Sequence, residues 1–230
     1  MFGAKATSRG YRGAFRWRWA GLLPGLMLVL HAAPAQWEKD IRAFEAADRT
    51  NPPPKGAIVF VGSSSIRMWH TLAQDFPGFT VINRGFGGSE LADSVAFANR
   101  IILPYRPRQV VVYAGDNDIA AGKSPARVLA DFQAFEHKIH TALPKCRVTF
   151  IAIKPCPSRW QFVKQIREAN DLVKAAAQQA RETEFVDVFT PMLGVDGRPR
   201  GELFANDQLH LNRSGYALWV RLLRPYLLRQ

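Results

Sequence analysis

Ile58-Val59-Phe60-Val61 runs straight into Gly62-Ser63-Ser64-Ser65. Four consecutive apolar residues, three of them β-branched, read as a strand buried on both faces. A glycine and three hydroxyls then end it and set a serine at the mouth of a sheet. Four more short runs rich in Val, Ile and Phe follow, each bounded by Gly, Pro, Asn or Asp. The strands predicted are 57–61, 79–83, 109–114, 147–153 and 184–188. Helical stretches fall between or around them, near 37–49, 90–102, 125–142, 159–181 and 213–228. Ser124-Pro125 is a helix start, with serine as cap and proline at the first position. Asn51-Pro52-Pro53-Pro54 separates the leading helix from the first strand. Alternation of this kind predicts an α/β protein, a five-stranded parallel sheet between two layers of helices.

Open parallel sheets bind ligands beyond the carboxyl ends of their strands. The residues there are small and polar: Gly62-Ser63-Ser64-Ser65, Asn83-Arg84-Gly85-Phe86-Gly87-Gly88-Ser89, Gly115-Asp116-Asn117-Asp118, and Lys154 to Trp160. Near the end of the chain stands Asp207-Gln208-Leu209-His210. A serine at neutral pH needs a base to take its proton, and the base needs an orienting carboxylate. His210 with Asp207 one turn earlier supplies both from one short segment. The developing oxyanion needs donors. The backbone N–H at Ser64, the backbone at Gly88 and the side-chain amide of Asn117 are the candidates. His70 has no such setting. His137 and His140 share a helix face that suggests a metal, but no further Cys or His supports one, so a solvated face is expected. Trp69 and Trp160 either line a substrate surface or pack at the core or rim. The run is not the G-x-S-x-G elbow, because position 66 is Ile66.

The first 35 residues carry Lys5, Arg9, Arg12, Arg16 and Arg18 with no acid, then an apolar stretch from Ala20 to Leu30, then Ala33-Pro34-Ala35. That is the pattern of a secretory signal peptide. The apolar stretch is shorter than the about 20 residues a spanning helix needs. Cleavage after Ala35 would leave 195 of the 230 residues, a single domain over 36–230, in the periplasm or secreted. The net charge of +12 falls by the segment's five cations to +7. Its arginines are scattered and form no basic block, so no nucleic-acid partner is expected. Membrane contact is expected only if the N-terminal segment stays attached. Cys146 and Cys156 flank the strand at 147–153, whose ends lie about 20 Å apart, so they cannot pair within one chain.

Taken together the blocks resemble the SGNH (GDSL-type) hydrolase family. Gly62-Ser63-Ser64 stands for its G-D-S block, Gly88 for its glycine block, Gly115-Asp116-Asn117-Asp118 for G-x-N-D, and Asp207-Gln208-Leu209-His210 for D-x-x-H. The resemblance spans nearly the whole of 36–230. It implies a flavodoxin-like three-layer α/β/α fold and ester hydrolysis with no metal or organic cofactor. It implies Ser64 as nucleophile, His210 as base, Asp207 as its orienter, and Gly88 and Asn117 in the oxyanion hole with Ser64. Ser63 stands where the family usually has Asp, which bears on substrate and local hydrogen bonding rather than on the chemistry. The expected substrate is a short-chain ester of a small molecule, carbohydrate or lipid. Acyl transfer to a sugar and an inactive ligand-binding module on the same fold are the alternatives.

Overall fold

The computed structural model describes Met1, Gly3 and residues 35–229. The signal-peptide expectation therefore falls on residues that lie, apart from Met1, Gly3 and Ala35, outside the described ones.

The sheet has five parallel strands: β1 (Ile58–Gly62), β2 (Val81–Gly85), β3 (Gln109–Tyr113), β4 (Arg147–Ile151) and β5 (Thr183–Val186), in the spatial order β2-β1-β3-β4-β5. β1 and β3 are buried throughout, as their unbroken apolar runs require. The helices are α1 (Glu38–Thr50), α2 (Ser64–Arg67), α3 (Leu72–Asp75), α4 (Leu91–Ile101), α5 (Asp116–Ala120), α6 (Pro125–Ala142), α7 (Val163–Gln179) and α8 (Arg213–Leu223). α1 packs on α4, α4 on α6 and α6 on α7, forming one layer. The other face is sealed by an aromatic cluster. Phe60 of β1 and Tyr113 of β3 meet Trp69, which follows α2, and Trp219 of α8, with ring centroids 5.0–6.0 Å apart. This is the α/β/α arrangement expected.

Several boundaries differ from the sequence reading. β2 begins at Val81 rather than at residue 79, because the Phe79 N–H is taken by a turn to the Phe76 carbonyl. It runs on past Asn83 through Arg84 and Gly85, beyond the end at 83 that the apolar run gives it. Arg84 is almost buried there because Asp48 of α1 and the Tyr105 hydroxyl hold its guanidinium. β4 stops at Ile151, since the side chain of Asn170 takes both the N–H and the carbonyl of Ile153. The helix expected from 159 starts at Val163, behind a 3-10 segment (Pro157–Phe162) in which Arg159 is non-helical. The last helix ends at Leu223, with a 3-10 turn over Arg224–Tyr226 around Pro225. Cys146 and Cys156 are both free and buried, and burial pushes the Cys146 thiol up to about 12.

Strand order reverses direction between β1 and β3: the chain leaves β1 for β2 on one side and returns to β3 on the other. A crevice opens at such a point beyond the strand ends.

Candidate active site

Gly62 ends β1 at φ +129°, a conformation that favours glycine. A Cβ there would lie 1.9 Å from the Tyr113 carbonyl oxygen, so only a bare backbone fits beside β3. The turn delivers Ser64 to the first position of α2. Its N–H is one of the orphan donors of a helix start, and Ser64 itself is half-buried. Ser63 and Ser65 are fully buried, and among the described residues neither hydroxyl has a partner. Of the three serines only Ser64 faces the crevice.

Opposite it, residues 205–210 make a compact turn. Gln208 takes a left-handed φ of +55°, Ala205 donates to the His210 carbonyl, and Gln208 donates back to Ala205. The carboxylate of Asp207 closes the turn. Its Oδ1 accepts the N–H groups of Leu209 and His210 at 2.9 Å, and its Oδ2 lies 2.6 Å from His210 Nδ1. These bonds, the one with the imidazole foremost, hold the carboxyl down at about 2. An ionised Asp207 accepts the proton on Nδ1, which leaves Nε2 as an acceptor. Nε2 is 2.9 Å from Ser64 Oγ. The structure thus brings together Ser64, His210 and Asp207.

The expected donors lie on the same crevice. Gly88 has φ +78°, and among the described residues its N–H has no acceptor. Asn117, in the first turn of α5, donates from Nδ2 to the Ser89 carbonyl at 3.0 Å, leaving its second N–H unassigned. Its Oδ1 accepts Arg159 Nη2 at 3.0 Å. A cavity of about 400 Å³ joins Ser64, Gly88, Asn117 and His210.

Sequence reasoning missed what stands behind these groups. Lys154, almost wholly buried, lies 2.9 Å from both the Asp116 carboxylate and the Tyr113 hydroxyl. Burial alone would raise the Asp116 carboxyl, but Lys154 and Arg159 outweigh it and hold it below its ordinary value. Asp116 Oδ1 in turn accepts the Asn117 N–H at 3.0 Å, fixing the start of α5. An aspartate after one strand and a lysine after the next was the one available signal. Trp37 was missed too: its indole donates to the Gly87 carbonyl at 2.8 Å, and its ring packs edge-on against Phe86.

The remaining candidates lie elsewhere. Trp69 is core, not a substrate surface, and donates to Asp75 at 2.8 Å. Trp160 is half-buried at the rim with Arg198 over its ring. His140 bonds the Cys146 carbonyl and His137 is exposed. Among the described residues no group of three His, Cys, Asp or Glu is arranged to hold a metal.

The profile of the GDSL-like lipase/acylhydrolase family matches residues 33–218. Platelet-activating factor acetylhydrolase IB subunit alpha1 of Pongo abelii is 28% identical over 192 residues, covering 80% of this chain and 79% of that protein. A GDSL-like lipase from Bacteroides thetaiotaomicron superposes with a TM-score of 0.71 at 19% identity, covering 81% of this chain and 96% of its own. An acetyl-xylooligosaccharide esterase from Geobacillus Stearmophilus superposes with a TM-score of 0.62 at 16% identity, covering 75% and 94%.

Proposed function

This chain belongs to the GDSL-like lipase/acylhydrolase family, and we propose that it is an exported serine esterase that removes a short acyl group, acetyl or close to it, through an acyl-enzyme. The observation that carries the reading is the continuous line from Asp207 through His210 to Ser64, with contacts of 2.6 and 2.9 Å.

His210 Nε2 takes the Ser64 hydroxyl proton as Oγ attacks the ester carbonyl. The oxyanion is met by the N–H groups of Ser64 and Gly88 and the free N–H of Asn117. The tetrahedral species collapses, the C–O bond to the alcohol breaks, and the imidazolium returns its proton to the departing oxygen. Water repeats the sequence with His210 as base, releasing the acid and regenerating Ser64 Oγ–H. Asp207 keeps the imidazole in one tautomer and stays charged throughout.

A cavity of about 400 Å³ has room for a short acyl group together with its alcohol part. The mammalian relative and the Geobacillus enzyme are both named for acetyl substrates. Export rests on residues 1–35 of the sequence, and among the described residues no helix is long and apolar enough to cross a membrane. The test is hydrolysis of p-nitrophenyl acetate and longer homologues by the purified protein against Ser64→Ala. A fluorophosphonate label should be located on Ser64 by mass spectrometry. Turnover no greater than that of Ser64→Ala would leave a ligand-binding module in its place. The N-terminal sequence of the exported protein tests cleavage after Ala35.

A further inference from the structure

Arg67, the last residue of α2, lies one helical turn past Ser64. It lines the same cavity as Ser64 and His210. Among the described residues it makes no hydrogen bond and no ion pair. Nearby carboxylates are otherwise engaged or apart: Asp207 accepts from His210, Asp116 is shared by Lys154 and Arg159, and Asp40, on the same cavity wall, forms no ion pair with Arg67. A second guanidinium, Arg159, stands on the same wall, with its Nη1 buried, without a hydrogen-bond partner and 3.5 Å from Asp116 Oδ2. Arg67 is therefore a cation on this wall with no ion-pair partner among the described residues, whereas Arg159 is paired with Asp116.

Arg67 is an exposed residue, and Gly87 marks where its guanidinium lies. Gly87 does not take a left-handed φ, so its backbone does not demand glycine. A Cβ there would instead lie 2.7 Å from Arg67 Nε and 3.2 Å from Cζ. The bare glycine lets the guanidinium lie against the loop whose next residue is Gly88.

We propose that Arg67, supported by Arg159, forms a subsite for an anionic oxygen group, a carboxylate or a phosphate, on the alcohol side of the ester. The proposal rests on the esterase reading of the same cavity. Gly88 and Asn117 stand where the ester carbonyl would sit, and an acetyl-sized acyl group carries no charged substituent, so the charged part of the substrate belongs to the leaving group. A guanidinium offers such a group paired N–H donors in the plane it prefers.

The test compares 4-acetoxybenzoate and 4-acetoxyphenyl phosphate with the neutral methyl 4-acetoxybenzoate. The quantity read is the ratio of kcat/KM for each anion to that for the neutral ester, in wild type, Arg67→Gln and Arg67→Lys. The ratio should fall about tenfold in Arg67→Gln, mainly through KM, and be largely retained in Arg67→Lys. The anion with the larger fall identifies carboxylate or phosphate. A ratio that Arg67→Gln leaves within about twofold for both anions overturns the proposal. Hydrolysis of the neutral ester above the Ser64→Ala level separately tests the esterase reading. If none of the three esters turns over, calorimetric titration of Ser64→Ala with both anions decides. Binding that Ser64→Ala/Arg67→Gln loses supports the subsite, and no binding overturns it.

Discussion

Arg159 Nη2 donates to Asn117 Oδ1 at 3.0 Å, and so determines which end of that amide carries the donors. With Oδ1 occupied and one Nδ2 proton spent on Ser89, the second proton is the one left for an oxyanion. Asn117→Ala should lower kcat on a neutral acetate ester by about 10²–10³. Arg159→Gln should lower it about tenfold with little change in KM, and the pair combined should be no worse than Asn117→Ala alone. Additive losses in steady-state kinetics would show that Arg159 acts independently of the amide.

Ser64→Ala and His210→Ala should each reduce kcat by about 10⁴ or more with an unchanged melting temperature. Ser63→Ala should keep the activity. Removal of a buried hydroxyl that has no partner should leave stability equal or raise it by up to about 1 kcal/mol. An equal kinetic loss at Ser63 would move the nucleophile.

Trp37→Phe keeps the edge-on packing against Phe86 but deletes the donor to the Gly87 carbonyl. The expected cost is about 1 kcal/mol of stability. A several-fold fall in kcat is also expected, because Gly87 and Gly88 share a loop. Denaturant titration and kinetics on the same preparation measure the two effects. A stability loss with unaltered kcat would make Trp37 purely a packing residue.

Gly62→Ala would set a Cβ 1.9 Å from the Tyr113 carbonyl in a left-handed backbone. Neither β1 nor β3 can retreat from a sheet buried on both faces. A loss of more than about 3 kcal/mol is expected, read as failure to accumulate soluble protein or as a collapsed urea midpoint. Gly88→Ala has open space at its Cβ and pays only for its φ of +78°, so it should fold.

Asp207 is held at about 2, below its ordinary value of 3.8, through its bonds with His210 and the backbone. For a carboxyl lowered on folding, the stabilisation is complete above the ordinary value and is lost as pH falls through about 2. The side chain is half exposed, so the stability effect is small. The kinetic consequence is sharper. Asp207 is fully ionised from pH 4 upward, and the acid limb of kcat/KM should contain no step owed to it. A second step between pH 4 and 6 that disappears in Asp207→Asn would refute the assignment.

The sheet was legible because its strands are apolar runs cut off by Gly, Asn and Asp, and burial on both faces demands such runs. The edge strand β2 was misplaced by two residues where that logic weakens. Arg84 extends it past residue 83 only because Asp48 pairs with its guanidinium and the Tyr105 hydroxyl accepts from it, both from other parts of the chain. The residues joined at the crevice were legible for a different reason. Ser64, Gly88 and Asn117 each follow a strand end, and Asp207 with His210 are one turn apart. Their supports were not legible. Arg159 meets Asn117 across 42 positions, Lys154 meets Asp116 across 38, and Trp37 meets Gly87 across 50. No periodicity links such pairs, and each side chain alone has several ordinary roles.

Ser64 and His210 are 146 residues apart in the chain, with strands β2 to β5 lying between them in sequence. Every strand must be laid down, and the segment ahead of α8 docked, before the hydroxyl acquires its base. A nascent or half-threaded chain is therefore chemically silent, however much of its sheet has formed. The appearance of hydrolysis marks the last long-range closure of the chain. Activity recovered on dilution from denaturant should lag behind the recovery of helical signal, making this molecule its own timer of folding.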